Sequence, residues 1–424
     1  MSSTIIAIPN QGEVALNQKK KKLQFPLVSN VFSTLEKACG KDPDTRKFIH
    51  CVKVGIALVL VSLLYLLDPL FKKIGGNAMW AIMTVVVAFE FFAGATLSKG
   101  INRGVGTILG GGLGCLVAIL AEEIGGIGNA VAVATSVFIF GAAATYSRFV
   151  PSVKKKYDYG VMIFILTFSL VVVSGLRAGT VMKLARERFS TIGMGFAVCI
   201  FTNLLIFPMW ASDELHSTTA FKFEKLARSV EGCLEEYFAL VGEKEIQPSA
   251  NIVSICSSML HSKSNEESQA NFARWEPWHG KFGLSYPWEK YLQIGEVTRE
   301  LASTILSLKG CLQSSRQPSP MLRRSIKEPC EIAGLFLAWI LRELGQSIEE
   351  MKKCRAKVLI VPLLHTMKAE LSGVTSRSLL EGSENGVGLA MAGFLFLLTE
   401  TVEKVEVLAK EVEELGEIAG FQTK

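Results

Sequence analysis

The sequence is poor in everything an enzyme of common type would need. Nine cysteines are scattered through 424 residues without a single CxxC pair. Zinc-site spacing and a disulfide framework are therefore excluded, and reduced structural thiols are expected. Five histidines stand apart from one another, and His279 has no nucleophile beside it in sequence. There is no GxSxG and no Walker-type loop. The glycine run Gly110–Gly112 lies within apolar sequence and follows no strand, so it does not read as a phosphate cradle. These absences argue against an enzyme, a cofactor, a metal site and ATP-driven transport. Nucleic acid is equally unsupported, because the net charge of +6 is spread along the chain. No short apolar core with a small-residue cleavage site follows Lys19–Lys22, so no signal peptide is expected and the first span serves as insertion signal.

What is present is apolar sequence, 49% of the residues, concentrated before Trp210. That concentration places the chain in the membrane class. The expected fold is an all-α membrane protein: a polar cytosolic tail over residues 1–47, six transmembrane helices within 48–210, and a cytosolic helical bundle over 213–424. The spans are placed at 48–67, 77–97, 104–121, 127–146, 158–175 and 189–210, each long enough for about 30 Å of hydrocarbon. Basic residues in the tail, in the loop Ser98–Arg103 and in the loop Ser147–Lys156 put both termini in the cytoplasm by the positive-inside rule. The loop Ser174–Arg188 breaks that rule with Arg177, Lys183, Arg186 and Arg188. It reads either as ordinary surface charge or as an outer vestibule that concentrates anions.

The segment Phe89–Gly114 combines the informative features. Gly106, Gly110 and Gly114 recur every four residues, a spacing that lets a second helix approach closely in lipid. Glu90 is an acid inside apolar sequence, where an ionisable group costs about 2.5–3.5 kcal/mol to insert. It is read as the partner of a nearby cation. Lys99 and Arg103 are either loop charges or cations beside an anion path. Lys53, in the first span, is either a snorkelling lysine or a third such cation. Phe89, Phe91 and Phe92 are read as packing or as a constriction.

Beyond Trp210 the apolar residues recur at three- and four-residue spacing over Leu215–Val241, Ser249–Leu260, Trp288–Leu312, Ser325–Lys352 and Val387–Ile418, which predicts helices. Met391–Leu398 is too short to span and reads as bundle core. Ser264–Pro287, with Trp275, Glu276, Pro277, Trp278, His279 and Gly280, reads as a structured loop joining the two parts.

The stretches GNAMWAIMTVVVAFEFFAGATLSKGINRG, KYDYGVMIFILTFSLVVVSG, ERFSTI and WEPWHGKF resemble the plant aluminium-activated malate transporter family of anion channels. The resemblance runs from about Asp42 to Trp288. It implies a homodimer in the plasma or vacuolar membrane, passing malate and other small anions through a pore lined by basic residues. Arg103, in the match to KGxNRG, and Arg188, before the final span, are the implied pore cations, with Lys99 and Lys53 behind them. Two departures stand out. The outer loops carry Lys72, Lys73, Arg177 and Lys183 against only Asp68 and Glu187, so activation by aluminium is not expected: a trivalent cation needs oxygen ligands. Trp278 stands where the family usually has proline. The sequence also ends soon after the helical domain, short of the long tail of many relatives. A proton-coupled organic-acid transporter is the alternative; the lack of an Asp/Glu/His relay in the spans favours the channel.

Overall fold

The computed structural model describes residues 43–66, 79–175, 181–239, 250–283, 285–312, 320–354, 356–381 and 387–422. The basic run Lys19–Lys22 and the loop residues Asp68, Lys72, Lys73, Arg177 and Gly179 lie outside them, as do the side chains of Lys183 and Arg188. The chain divides into a short unit ending at Val52 and a large one running from Lys53 to Lys424.

The described residues are all-α. The apolar half contains α1 (Pro43–Leu66), α2 (Met79–Ala88), α3 (Ala93–Ile124), α4 (Gly126–Ser147), the short α5 (Pro151–Lys156), α6 (Asp158–Gly175) and α7 (Val181–Leu205). Among them α3 and α4 are long and apolar enough to cross a membrane, while Met79–Ala88, Asp158–Ser174 and Phe189–Leu205 are shorter apolar helices. Helix α1, with 24 residues, covers the first expected span.

The second and third expected spans need correction. The stretch Ser98–Arg103 is not a loop but the interior of α3. The chain breaks earlier, at residues 89–92, with Phe92 extended (φ −90°, ψ 142°) as the N-cap of α3. At 32 residues the helix is roughly 48 Å long, well over the ~30 Å of a hydrocarbon core, so it accommodates a charged first three turns ahead of its apolar remainder. Glu90 consequently sits in the break and not within a span. At the other end, Gly125 and Gly126 take φ of 67° and 55°, left-handed values that let α4 start immediately after α3.

The glycine spacing does what it predicts. Helix α6 lies against α3 so closely that a Cβ on Gly110 would stand 2.7 Å from the Phe164 carbonyl oxygen, and one on Gly114 would stand 3.0 Å from Val171 Cβ. Gly106 meets the Gly160 carbonyl in the same way. Helix α7 closes on the first turns of α3, with the Phe196 ring resting on Gly100. A small cluster of Ala57, Val61, Ala81, Val85, Phe89 and Cys199 joins α1, α2 and α7.

The polar half comprises α8 (Ala211–Ala239), α9 (Ala250–Leu260), α10 (Lys263–Ala273), α11 (Trp288–Leu312), α12 (Pro320–Glu350), a π-turn (Ala356–Ile360), α13 (Val361–Glu381) and α14 (Val387–Ile418). Its core is continuous: Phe223, Leu226 and Val230 of α8 meet Leu301 and Ile305 of α11, Leu337 and Leu341 of α12, and Leu395 and Leu398 of α14. Tyr237 stacks on Phe394 at 3.7 Å. The expected loop Ser264–Pro287 is a loop only in its second part, since α10 occupies its start. The inward face of α10 carries Glu266, Gln269, Ala270 and Ala273. It has helical spacing but little hydrophobicity, so apolar periodicity does not reveal it.

Candidate functional site: a buried arginine beside a polar network

The first three turns of α3 carry a run of buried polar groups, Thr96, Ser98, Asn102 and Arg103. Arg103 is buried, with 4% of its surface exposed. Its Nη1 donates to the Tyr159 hydroxyl at 3.1 Å, and its Nε is buried without a hydrogen-bond acceptor among the described residues. Among the described residues no carboxylate lies within ion-pairing distance of it. One turn further along the same helix, the buried Thr107 hydroxyl is likewise without a partner among the described residues. Arg103 is also within electrostatic reach of Cys199 on α7. A buried guanidinium without an acid is costly, because desolvation is not repaid by a counter-charge.

The other candidate cations are differently placed. Lys99 forms an ion pair with Glu90, both groups about one-third exposed, and its ammonium stands 6.0 Å from the Tyr159 ring centroid. Tyr159 thus contacts both cations of α3. Lys53 is fully buried. Its ammonium donates to the Asn203 side-chain oxygen at 2.6 Å and to the Phe207 carbonyl at 3.3 Å. Phe207 is held at φ 44°, in the left-handed region that costs a non-glycine residue about 1–2 kcal/mol. Asn203 in turn donates to Thr96 Oγ1 at 2.7 Å and to the Glu90 carbonyl at 3.1 Å, and the Glu90 amide donates to Thr96 Oγ1 at 2.9 Å. One hydrogen-bonded chain therefore ties α1, the break before α3, α3 itself and the end of α7.

For Arg188 the helical backbone of α7 fixes the height. Thr96 meets Asn203 and Gly100 meets Phe196, so α3 and α7 run antiparallel. Counting from the Gly100–Phe196 contact, Arg103 lies three residues along α3 and Arg188 eight residues back along α7. At 1.5 Å per residue the two stand roughly 8 Å apart along the axis. Phe89 is buried in the α1–α2–α7 cluster, and Phe92 meets Phe91 edge-on at 5.1 Å.

Sequence reasoning missed Thr96, Thr107, Tyr159 and Asn203. Tyr159 lies in the KYDYG stretch but carries no charge to single it out; Thr96 and Asn203 are 107 residues apart, beyond the reach of any spacing rule.

The start of α8 completes the arrangement. Glu276, from the loop after α10, accepts the Ala211 and Ser212 amides at 2.6 and 3.2 Å and the Ser212 hydroxyl at 2.5 Å. It caps α8 from outside the helix, where a negative group is favoured. Burial pushes its carboxyl above the usual range, partly offset by these three donors. His279 stacks on Trp210 at 3.7 Å and bonds the Ser212 hydroxyl at 2.9 Å. The end of α10 and the same loop reach α3: Gly94 abuts the Phe272 carbonyl and the Glu276 side chain, and the Ala93 amide donates to the Met209 carbonyl at 2.9 Å.

These features sit in a recognisable lineage. The family model described as aluminium activated malate transporter matches residues 39–385. Aluminum-activated malate transporter 12 of Arabidopsis thaliana is 44% identical over 320 residues, covering 76% of this chain and 57% of the relative. Aluminum-activated malate transporter 14 of the same plant is 43% identical over 348 residues, 81% of this chain and 64% of the relative. Aluminum-activated malate transporter 1 of Triticum aestivum is 35% identical over 398 residues, 89% and 84% of the two chains. The chain thus spans about three-fifths of the length of the first two relatives. It belongs to the aluminium-activated malate transporter family.

Proposed function

We propose that this chain is an anion channel passing malate and other small anions across a plant plasma or vacuolar membrane. In this reading six transmembrane helices precede a cytosolic helical domain, both termini are cytoplasmic, two copies form the working unit, and Arg103 and Arg188 face the anion path. The observation that carries it is the buried guanidinium of Arg103, with no carboxylate at ion-pairing distance among the described residues. Such a group is compensated when an anion passes it, and its planar fork suits a carboxylate. The roughly 8 Å axial offset between Arg103 and Arg188 supports two successive weak sites, which conduction favours over one deep trap. Lys99 and Lys53, engaged by Glu90 and Asn203, serve the path by shaping it. Family membership and the names of the relatives support malate as cargo.

The test is whole-cell current with malate inside, for the wild type, Arg103→Ala and Arg188→Ala, with surface labelling of the same cells. Malate current in the wild type, altered in conductance or selectivity by both substitutions, supports the reading. Surface-labelled wild type without current in malate, chloride or nitrate overturns it. Saturating flux that needs a proton gradient points to a coupled transporter. External aluminium is expected to leave the current unchanged, given the basic loop residues Lys72, Lys73 and Arg177 and, at the start of α7, Lys183.

A further inference from the structure

A cavity of about 390 Å³ opens between α3, α4 and α6, bounded by Val105, Leu109, Phe140, Ala143, Tyr157 and Phe164. Its volume falls within the range of about 300–1,000 Å³ that ligand sites occupy, and its walls are almost wholly apolar. Two polar side chains at its edge are already engaged: Asn102 donates to the Lys156 carbonyl at 3.1 Å, and the Ser147 hydroxyl to the Ala144 carbonyl at 2.7 Å. Water gains little there, since a buried water needs two to four polar partners. An extended hydrocarbon chain fits the lining.

One end of the cavity is marked by charge. Tyr157 directly follows α5, whose last turn is Lys154, Lys155 and Lys156. Lys155 approaches Glu267 at 3.7 Å, and the neighbouring Arg148 is held by Asp158 through two hydrogen bonds of 2.7 and 3.0 Å. Lys154 and Lys156 are exposed, with no carboxylate at ion-pairing distance among the described residues. Helix α4 beside them is largely exposed and apolar, with Phe138, Ile139 and Tyr146 at its surface.

We propose that this cavity binds one acyl chain of an anionic phospholipid whose headgroup is held by Lys154 and Lys156. The apolar slot selects a hydrocarbon chain, and the basic turn that immediately precedes its lining residue Tyr157 selects a negative headgroup over a zwitterionic one. The proposal rests on α3, α4 and α6 lying in lipid, but not on conduction.

Native mass spectrometry of the full chain in mild detergent tests it, with phosphatidylglycerol and phosphatidylcholine as probes. The expected result is one retained phosphatidylglycerol per chain, preferred over phosphatidylcholine by roughly fivefold per lysine. Ala143→Phe, which fills the slot, abolishes the adduct. Lys154→Gln with Lys156→Gln removes the headgroup preference, and the paired arginine variants restore it. Equal retention of both lipids in all variants overturns the proposal. So does loss of oligomer mass in Ala143→Phe with phosphatidylglycerol binding intact, which would assign the face to a second copy. Because the readout is lipid mass, a failed current measurement leaves this result standing, and the reverse holds too.

Discussion

The Lys53 ammonium, fully buried, donates to the Asn203 side-chain oxygen at 2.6 Å across 150 residues of sequence. Asn203 passes the connection on to Thr96 and to the Glu90 carbonyl. The bond therefore fixes where α3 begins. Removing the amide takes one acceptor from a buried cation, a change of about 1–3 kcal/mol. Asn203→Ala is expected to lower the melting temperature and surface expression sharply while leaving the anion selectivity of any remaining transport unchanged. Altered selectivity at wild-type stability would place Lys53 on the conduction path.

The α3–α6 contact predicts a steep size dependence. A Cβ at Gly110 already meets backbone at 2.7 Å, and carbonyl oxygens of a packed helix do not yield as a flexible side chain would. Gly110→Ala is expected to separate the helices at a cost of about 1–3 kcal/mol, with Gly110→Val worse. Gly112, with nothing within 4 Å of an added Cβ, is the control: Gly112→Ala is expected to be neutral or slightly stabilising. Thermal melts in detergent compare the three; equal effects at Gly110 and Gly112 would refute the close contact.

Much of this packing was legible beforehand, and the limit is instructive. The four-residue glycine spacing announced the α3 face, and Trp288–Leu312 and Val387–Ile418 match α11 and α14 to the residue. The reading failed where a buried face is polar. Ser98, Asn102 and Arg103 are buried on one side of α3, yet with Lys99 and Gly100 between them and Gly104 after them they imitate a loop. Helix α10 hides behind Glu266 and Gln269 for the same reason. The partners that make such faces burial-competent, Tyr159 for Arg103 and Lys222 for Glu266, lie 56 and 44 residues away.

Glu266 gives the pH prediction. Burial alone would raise its carboxyl, but Lys222, Ser262 and Arg299 outweigh that and hold it below the ordinary range. Arg299 donates to Oε2 at 2.6 Å. Burial meanwhile pulls the Lys222 ammonium below its usual value. Because the folded carboxyl is depressed, its stabilisation is complete above the unfolded value of 4.5 and is lost as pH falls through the lower folded value. Glu266→Gln is expected to cost about 3–5 kcal/mol at neutral pH, leaving two cations facing one neutral amide. The gap to wild type should narrow below pH of about 4.5 in melts across the acid range. A gap constant with pH would contradict the assignment.

Glu276 predicts a graded series. Glu276→Ala removes an acceptor from the Ala211 and Ser212 amides and is expected to destabilise by about 1–2 kcal/mol or more, in the range of lost N-caps. Glu276→Gln retains one acceptor and should fall between the two. Denaturation of the purified chain reads the order, and a wild-type melt for Glu276→Ala would remove the capping role.

The same carboxylate has a mechanical meaning. Glu276 touches the first turn of α8 and also Gly94 at the foot of α3, while Ala93 is tied to Met209. The two helices therefore share a fulcrum. Arg103 stands ten residues up from Ala93, on a lever arm of roughly 15 Å, so a tilt too small to disturb the hinge itself carries the guanidinium through the largest arc of any charge on that helix's buried face.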